Sequence, residues 1–248
     1  MSLNKRLVST TSVAALVLAI SFFTSVDLSF GKDIKAPLNG SSLIQSKSPV
    51  TSTTSLMAGC VKTNSIPHYP IKLSTGPDYS APQIDRTFTL DTNCGQIVFK
   101  TFAKKAPNTV AAMSFLAKSG FFNHSLCHRL TTAGIYVLQC GDPTASGQGG
   151  PLFSYDNENV PASAPNNFRA GTIAMANAGL DANGHGTNGS QFFIVYKDST
   201  LIPPDYTIWG VVTKGLDIVK KIAAVGVLGG ATDGTPKQTI AIETVLVK

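Results

Sequence analysis

From residue 86 to the C-terminus, apolar residues fall in short runs alternating with polar ones, and nearly every run ends at Gly, Pro, Asn or Asp. That punctuation leaves room for short strands and excludes a coiled coil, whose apolar repeat must persist over many turns. Arg86 to Thr92 alternates through Phe88 and Leu90, Asn93-Cys94-Gly95 turns, and Gln96 to Phe102 alternates again through Ile97 and Phe99, a hairpin pattern. Ala106-Pro107 then opens a run with Val110, Met113, Leu116 and Ala117 at helical spacing, and Gly120 stands where such a helix stops. Further strand-like runs are His128–Leu130, Ile135–Gln139, Gly171–Ala176, Gln191–Val195, Ile208–Val212 and Thr239–Val247, with a second short helix at Leu216–Ala223. About eight short strands and two helices predict a mainly β domain, a closed eight-stranded antiparallel barrel capped by the two α-helices, over 86–248.

The chain before residue 86 has a different character. Lys5-Arg6 precede a mostly apolar stretch, Leu7 to Phe23, whose unbroken centre Val13–Ile20 has the length of a signal-peptide core and is short of the ~20 residues of a spanning helix. Residues 1–31 are therefore expected to be a signal peptide or an uncleaved membrane anchor, and the protein to be extracytoplasmic, secreted or membrane-attached through its N-terminus. Residues 32–85 are rich in Ser, Thr, Pro and Lys without a sustained apolar period, which predicts a flexible arm. Leu56-Met57-Ala58-Gly59-Cys60 looks like a lipoprotein cysteine box, but it lies more than thirty residues past the apolar stretch.

Charge says little about partners. The net +6 divides evenly, with 7 Lys/Arg against 4 Asp in 1–85 and 13 basic against 10 acidic residues beyond. The only adjacent basic pairs are Lys5-Arg6, Lys104-Lys105 and Lys220-Lys221, so no stripe for a phosphate backbone exists and nucleic acid is not an expected partner. Cys60, Cys94, Cys127 and Cys140 are an even set, compatible with disulfides in an exported chain in three connectivities. Cys127 and Cys140 flank two runs joined by Thr131-Thr132-Ala133-Gly134, so a hairpin would bring them together; buried free thiols are the alternative, and Cys60 with Cys94 is the pair left over.

Several chemical motifs fail on context. Gly184-His185-Gly186-Thr187-Asn188-Gly189 fits G-x-G-x-x-G but leads into a strand-like run, not a helix. Ser190 lacks a nucleophile elbow, and His124 and His128 have metal-like spacing with no carboxylate nearby. The acids Asp142, Asp156 and Glu158 sit among Gly/Pro segments that set no glycosidase spacing. No metal and no cofactor is expected.

Four runs are jointly specific: Cys127-His128-Arg129-Leu130; Gln139-Cys140-Gly141-Asp142-Pro143-Thr144 with Gly147 and Gly149-Gly150; Met175-Ala176-Asn177-Ala178-Gly179; and Thr187 through Ile194. In order and spacing they resemble the cyclophilin family of peptidyl-prolyl isomerases, over roughly Arg86 to Lys248. The resemblance implies an eight-stranded barrel with two helices, a catalytic Arg129, and a groove of Gln139, Ala176, Asn177, Ala178, Gln191 and Phe193. Tyr136 and Val137 stand where the family has Phe and Met, although two extra residues lie between Arg129 and Gln139. Leu201-Ile202 falls in the region of the family's Trp-Leu, making Ile202 a candidate wall, and Tyr206 falls at a usual groove histidine. The lone Trp209 lies elsewhere, which leaves binding of cyclosporin-class inhibitors open. Residues 180–186 are an insertion expected to lengthen a loop beside the groove, whereas Met175 and Phe192 should face the core by strand alternation.

The implied activity is cis-trans isomerisation of X-Pro bonds in unfolded or newly exported polypeptides by a monomer. The rival reading is a proline-peptide-binding chaperone or adaptor with little catalysis. A secreted structural or adhesive protein, with its function in residues 32–85, is a third.

Overall fold

The computed structural model describes residues 57–203 and 205–248. The expected signal or anchor, 1–31, and the first part of the arm, to residue 56, lie outside the described residues. The hairpin read from the first alternating runs is β1 (Thr87–Thr92) and β2 (Gly95–Thr101). Helix α1 (Pro107–Lys118) follows, then β3 (Ser125–Leu126), β4 (Arg129–Thr131), β5 (Val137–Cys140), β6 (Thr172–Met175), β7 (Phe192–Val195) and β8 (Ile208–Lys214). Helix α2 (Leu216–Val225), β9 (Asp233–Gly234) and β10 (Ala241–Val247) complete the chain.

Among the described residues all ladders are antiparallel and join into one sheet of ten strands in the order β3-β10-β1-β2-β8-β6-β7-β5-β4-β9. The count exceeds the eight expected because β3 and β9 are two residues each, too short to leave any period in the sequence. They stand at the two ends of the described order, so what the ladders show is a curled ten-stranded sheet. Its curl is visible in the core. Trp209 on β8 meets Phe88 and Phe99 on one side and Phe192 on the other, all edge-on, with ring centroids 5.1–6.2 Å apart.

Helix α1 begins at Pro107, whose missing N–H costs nothing there. No side chain of Ala106 caps it; instead the N–H groups of Asn108 and Thr109 donate to the Glu158 carboxylate at 3.0 and 2.9 Å, an anion at the positive end of the helix dipole. Its face of Val110, Met113, Leu116 and Ala117 enters the core, as does the Val219/Ile222 face of α2.

Residues 57–85 contain no helix or strand, in keeping with their composition, yet they are tied along the domain. Cys60 is bonded to Cys94, the Val61 N–H donates to the Asn93 carbonyl at 2.8 Å, and the Thr63 and Ser65 hydroxyls donate to Glu243 at 2.6 and 3.0 Å. The His68 N–H donates to the Pro143 carbonyl at 2.9 Å, and Asp85 accepts from the Ala103 N–H at 2.8 Å. The lipoprotein reading of Cys60 is thereby corrected, since a sulfur in a disulfide cannot carry a thioether lipid. Cys127 and Cys140 form the second bridge, closing the β4–β5 hairpin as its geometry suggested.

Candidate functional site

The site grows from one cross-strand row. In the β4–β5 ladder Arg129 faces Gln139, and in β5–β7 Gln139 faces Phe193. Phe193 in turn faces Ala174 on β6. Side chains alternate along a strand, so the neighbouring row, Leu130, Leu138, Ile194 and Ile173, points the other way into the main core. Met175 and Phe192 join that core, as alternation required. On the outer face Val137, Phe168, Ala174, Phe193, Val195 and Leu201 form a second, smaller apolar cluster. Phe193 is thus no part of the inner core; it is the floor of an outer pocket.

That pocket, about 150 Å³, is lined by Arg129, Ile135, Val137, Gln139, Ala176, Asn177, Phe193, Leu201 and Tyr206. Tyr206 stands edge-on to Phe193 at 5.6 Å and to Phe168 at 6.3 Å. Two expected wall residues are corrected. Tyr136 belongs to another surface, where its ring meets Tyr196 and lies 4.2 Å under the Lys197 ammonium; it stands just before β5, next to Val137, and adjacent residues entering a strand project to opposite faces. Ile135 and Val137 are the apolar pair that lines the pocket. Ile202 is 67% exposed and turned away, and Leu201, 8% exposed, takes its place.

Arg129 is held on two edges. Its Nε and Nη2 donate to the two oxygens of Asp233 on β9 at 2.8 and 2.7 Å, and Nη1 donates to Gln139 Oε1 at 3.1 Å. A guanidinium carries five N–H donors, so two remain for a ligand. Asp233 escaped the sequence reading: it lies 104 residues from Arg129, in a two-residue strand without any motif. The pairing lowers the Asp233 pKa below the usual carboxylate value and, against burial, raises that of Arg129.

The hydrogen-bonded chain continues outward. Gln139 Nε2 donates to Gln191 Oε1 at 2.8 Å, and Gln191 Nε2 donates to the carbonyls of Gly147 and Gly149 at 3.0 and 2.9 Å. That glycine loop is organised by Asp142, which burial would push up in pKa but which bonds from Thr144, Gly149 and Gly147 hold down. A Cβ at Gly149 would collide with the Asp142 carboxylate, and one at Gly141, where φ is +91°, with the Ser190 carbonyl; here only glycine fits. Ser190 itself donates to the Gly141 carbonyl at 2.7 Å, a buried structural bond.

The Asn177 side chain is fully engaged, donating to Asn157, Asn188 and the Asp205 carbonyl and accepting from the Gly179 N–H. Among the described residues its backbone N–H and C=O have no partner, and these are the groups open to an extended peptide. Ala176, Asn177 and Gln139 also line a neighbouring pocket of about 710 Å³, together with Ala178 and Gln191. All expected groove residues except Tyr136 and Ile202 therefore meet in one continuous surface. The 180–186 insertion folds on itself beside it, with Leu180 bridged to Gly186 and Asp181 accepting from the Asn183 and His185 N–H groups. His124 pairs with Glu243 on the surface, whereas the ring nitrogens of the partly buried His128 are shielded from solvent and have no partner among the described residues, so the two do not converge.

The curled antiparallel sheet thus carries on its outer face an anchored arginine, two linked glutamines and a small apolar pocket. The model of the cyclophilin type peptidyl-prolyl cis-trans isomerase/CLD family matches residues 87–247, and the chain belongs to that family. It is 40% identical over 189 residues to the "Probable peptidyl-prolyl cis-trans isomerase B" of Mycobacterium tuberculosis, covering 72% of this chain and 59% of that protein. A Helicobacter pylori peptidyl-prolyl cis-trans isomerase is 38% identical over 136 residues, covering 54% of this chain and 78% of that protein. The crystal structure of a Cryptosporidium parvum cyclophilin type isomerase superposes with a TM-score of 0.56 at 26% identity, covering 66% of this chain and 98% of that one. This chain spans less than two thirds of the mycobacterial relative's length.

Proposed function

We propose that the groove binds proline-containing polypeptides and that Arg129 accelerates rotation about the X-Pro bond. The observation that carries this reading is the guanidinium on the rim of the 150 Å³ pocket, bonded to Gln139 and Asp233 with two donors to spare. The pocket is below the usual 300–1,000 Å³ of small-molecule sites, a size that suits a single ring.

An amide resists rotation because resonance gives its C–N bond partial double character, a barrier of about 18–20 kcal/mol. At the perpendicular geometry the resonance is lost and the prolyl nitrogen gains a lone pair. A guanidinium donor beside that nitrogen forms a hydrogen bond that the planar ground state cannot accept well, which is selective stabilisation of the transition state. Phe193, Val137, Ile135, Leu201 and Tyr206 hold the ring, while Gln139, Gln191 and the Asn177 backbone restrain the flanking peptide so that one bond turns. No proton is transferred and no covalent intermediate forms, so the reaction asks only for residues of the kind found here.

The clients we propose are unfolded polypeptides outside the cytoplasm, with the protein acting as a monomer. Two disulfides support that compartment, since such bonds persist where the surroundings are oxidising. A protease-coupled prolyl assay on the protein, with Arg129→Ala beside it, tests the catalytic reading. Turnover lost in the variant supports it; equal, low rates in both with retained peptide binding support an adaptor. Cell fractionation, with the mass of the mature N-terminus, tests the compartment, and recovery of the chain in the cytoplasm with free thiols would refute it.

A further inference from the structure

Tyr136, turned away from the proline pocket, helps to build a depression elsewhere on the molecule. About 710 Å³ in volume, it is lined by Tyr136 and Tyr196 beside β5 and β7, by Ala223 and Ala224 of α2, and by Lys197 and Lys220. It shares no lining residue with either pocket of the groove. Its aromatic side is held in place. The Tyr196 hydroxyl donates to the Thr131 carbonyl at 2.6 Å, the Tyr196 N–H donates to the Tyr136 carbonyl at 3.0 Å, and the two rings meet edge-on at 5.9 Å. With that hydroxyl engaged, what Tyr196 offers a ligand is ring surface.

Charge around the depression is unbalanced. The one carboxylate in the lining, Asp198, accepts from the Ala170 N–H and from Arg169 Nη1, both at 2.8 Å, so its charge is met within the protein. Lys197 and Lys220 have no carboxylate within ion-pair reach among the described residues, whereas Lys221 pairs with Asp217 at 3.1 Å. The Tyr136 ring, 4.2 Å from the Lys197 ammonium, positions that charge without neutralising it. Lys220 precedes Ala223 and Ala224 by three and four residues, the spacing of neighbours on a helix surface.

Two unmatched cations beside apolar walls select a ligand that is anionic and carries a large apolar group. Ala170, Lys197, Lys220 and Ala224 are all exposed, so the depression is open. A small molecule seated there would keep much of its surface in water, unlike the 70–90% burial of small-molecule sites. A side chain presented by a polypeptide needs no such enclosure, because its chain neighbours share the contact. We infer that the depression is a docking site for an acidic segment of a partner polypeptide. One aromatic or leucine side chain lies against the tyrosines and alanines, and flanking carboxylates meet Lys197 and Lys220. The occupant needs no proline, and the inference does not rest on the isomerase reading.

The test uses the full chain and a short proline-free peptide with one Phe among Glu and Ser, beside versions in which Ser replaces the Phe or Gln replaces every Glu. Binding is followed by NMR through the backbone amide shifts. The parent peptide should bind saturably below about 1 mM, shifting Tyr196, Lys197 and Lys220 through Ala224 while Arg129, Gln139 and Phe193 stay still. Both altered peptides should bind more weakly, and high salt should weaken the parent, since exposed charges are screened. Lys197→Ala and Lys220→Ala should each raise Kd about two- to fivefold, the range of an exposed ion pair. Ala224→Glu, at an exposed helix position, fills the depression and opposes its charge, and should raise Kd at least about tenfold. All three variants should bind a proline peptide as the wild type does. No saturable binding, equal affinity for the Gln version, shifts centred on Arg129, or a Kd unmoved by the variants overturns the inference. So does a concentration-dependent dimer that Ala224→Glu dissociates, which would make a second copy of the chain the occupant.

Discussion

Replacing Asp233 by Asn keeps the shape of the Arg129 clamp and removes its charge, and the two consequences pull in opposite directions. Arg129 and Asp233 are 39% and 53% exposed at the side chain, so solvent screens the pair, and the stability lost is on the order of 0.5–1 kcal/mol. The effect on catalysis should be larger. Two of the three bonds that fix the guanidinium go to Asp233, and only the one to Gln139 survives intact. An arginine side chain carries about 2 kcal/mol of rotamer entropy. Releasing half or more of that before the transition state costs about 1–1.4 kcal/mol, which is roughly five- to tenfold in rate. Against this, removing a negative charge makes Arg129 a stronger donor. That gain is small, because the carboxylate is half in water and sits on the Nε/Nη2 edge, away from the Nη1 edge that meets Gln139. In a protease-coupled assay kcat/KM of Asp233→Asn should fall five- to tenfold, mostly in kcat, with partial rescue in Asp233→Glu. The pH profile is a second readout. The Asp233 pKa is lowered, so the clamp is complete above the normal carboxylate range and is lost only as pH falls through that lowered value. The wild-type rate should therefore drop at that acid edge while Asp233→Asn shows no such drop. Wild-type activity in a folded Asp233→Asn, or an increase, would refute the positioning role.

Three other outcomes are expected. Arg129→Ala should lower kcat/KM by about 10²–10³, the usual cost of one transition-state donor, while peptide affinity measured by titration changes far less; an equal loss in both would make Arg129 a binding residue only. His128 is partly buried, with neither of its solvent-shielded ring nitrogens bonded among the described residues, and desolvation, opposed by Asp142 and aided by Arg129, lowers its pKa from 6.5. The unfolded chain then takes up the proton first, so stability from this group is full above about pH 6.5 and declines as pH falls toward the folded value. Melting temperatures from pH 7.5 to 5 should accordingly fall more in the wild type than in His128→Gln, and parallel curves would contradict this. Removing the bridge that closes the Arg129 hairpin, Cys127→Ser with Cys140→Ser at a separation of 13, should cost about 3 kcal/mol in urea unfolding; an unchanged midpoint would show that the ladder alone holds the hairpin.

Local rules made much of this protein readable. Alternation identified the strands that hold Arg129, Gln139 and Phe193, the Pro107/Gly120 punctuation bounded α1, and the hairpin geometry paired Cys127 with Cys140. The glycines of the Gly141–Gly150 run were visible as a motif, but their cause, the closeness of the Asp142 carboxylate and the Ser190 carbonyl, was not.

Side-chain alternation at the entry to β5 explains the misassigned Tyr136; Ile202 lies in a bend outside any strand, where no alternation applies. A side chain's face depends on which residue first enters the ladder, and that point was hidden in a hairpin two residues longer than the family form. Ile135 and Val137 therefore face the pocket and Tyr136 does not.

What the sequence determined by itself is what neighbouring residues decide together: where strands and helices run, which residues share a face, and which residue types the chemistry needs. Only the tertiary structure could bring Asp233 to Arg129, Glu243 to Thr63 and Ser65, and Pro70 to the edge of the groove. Those contacts join residues far apart along the chain, through isolated polar bonds and two-residue strands that carry no period. They exist because burial of the core brings distant segments together, and nothing local in the sequence records which ones will meet.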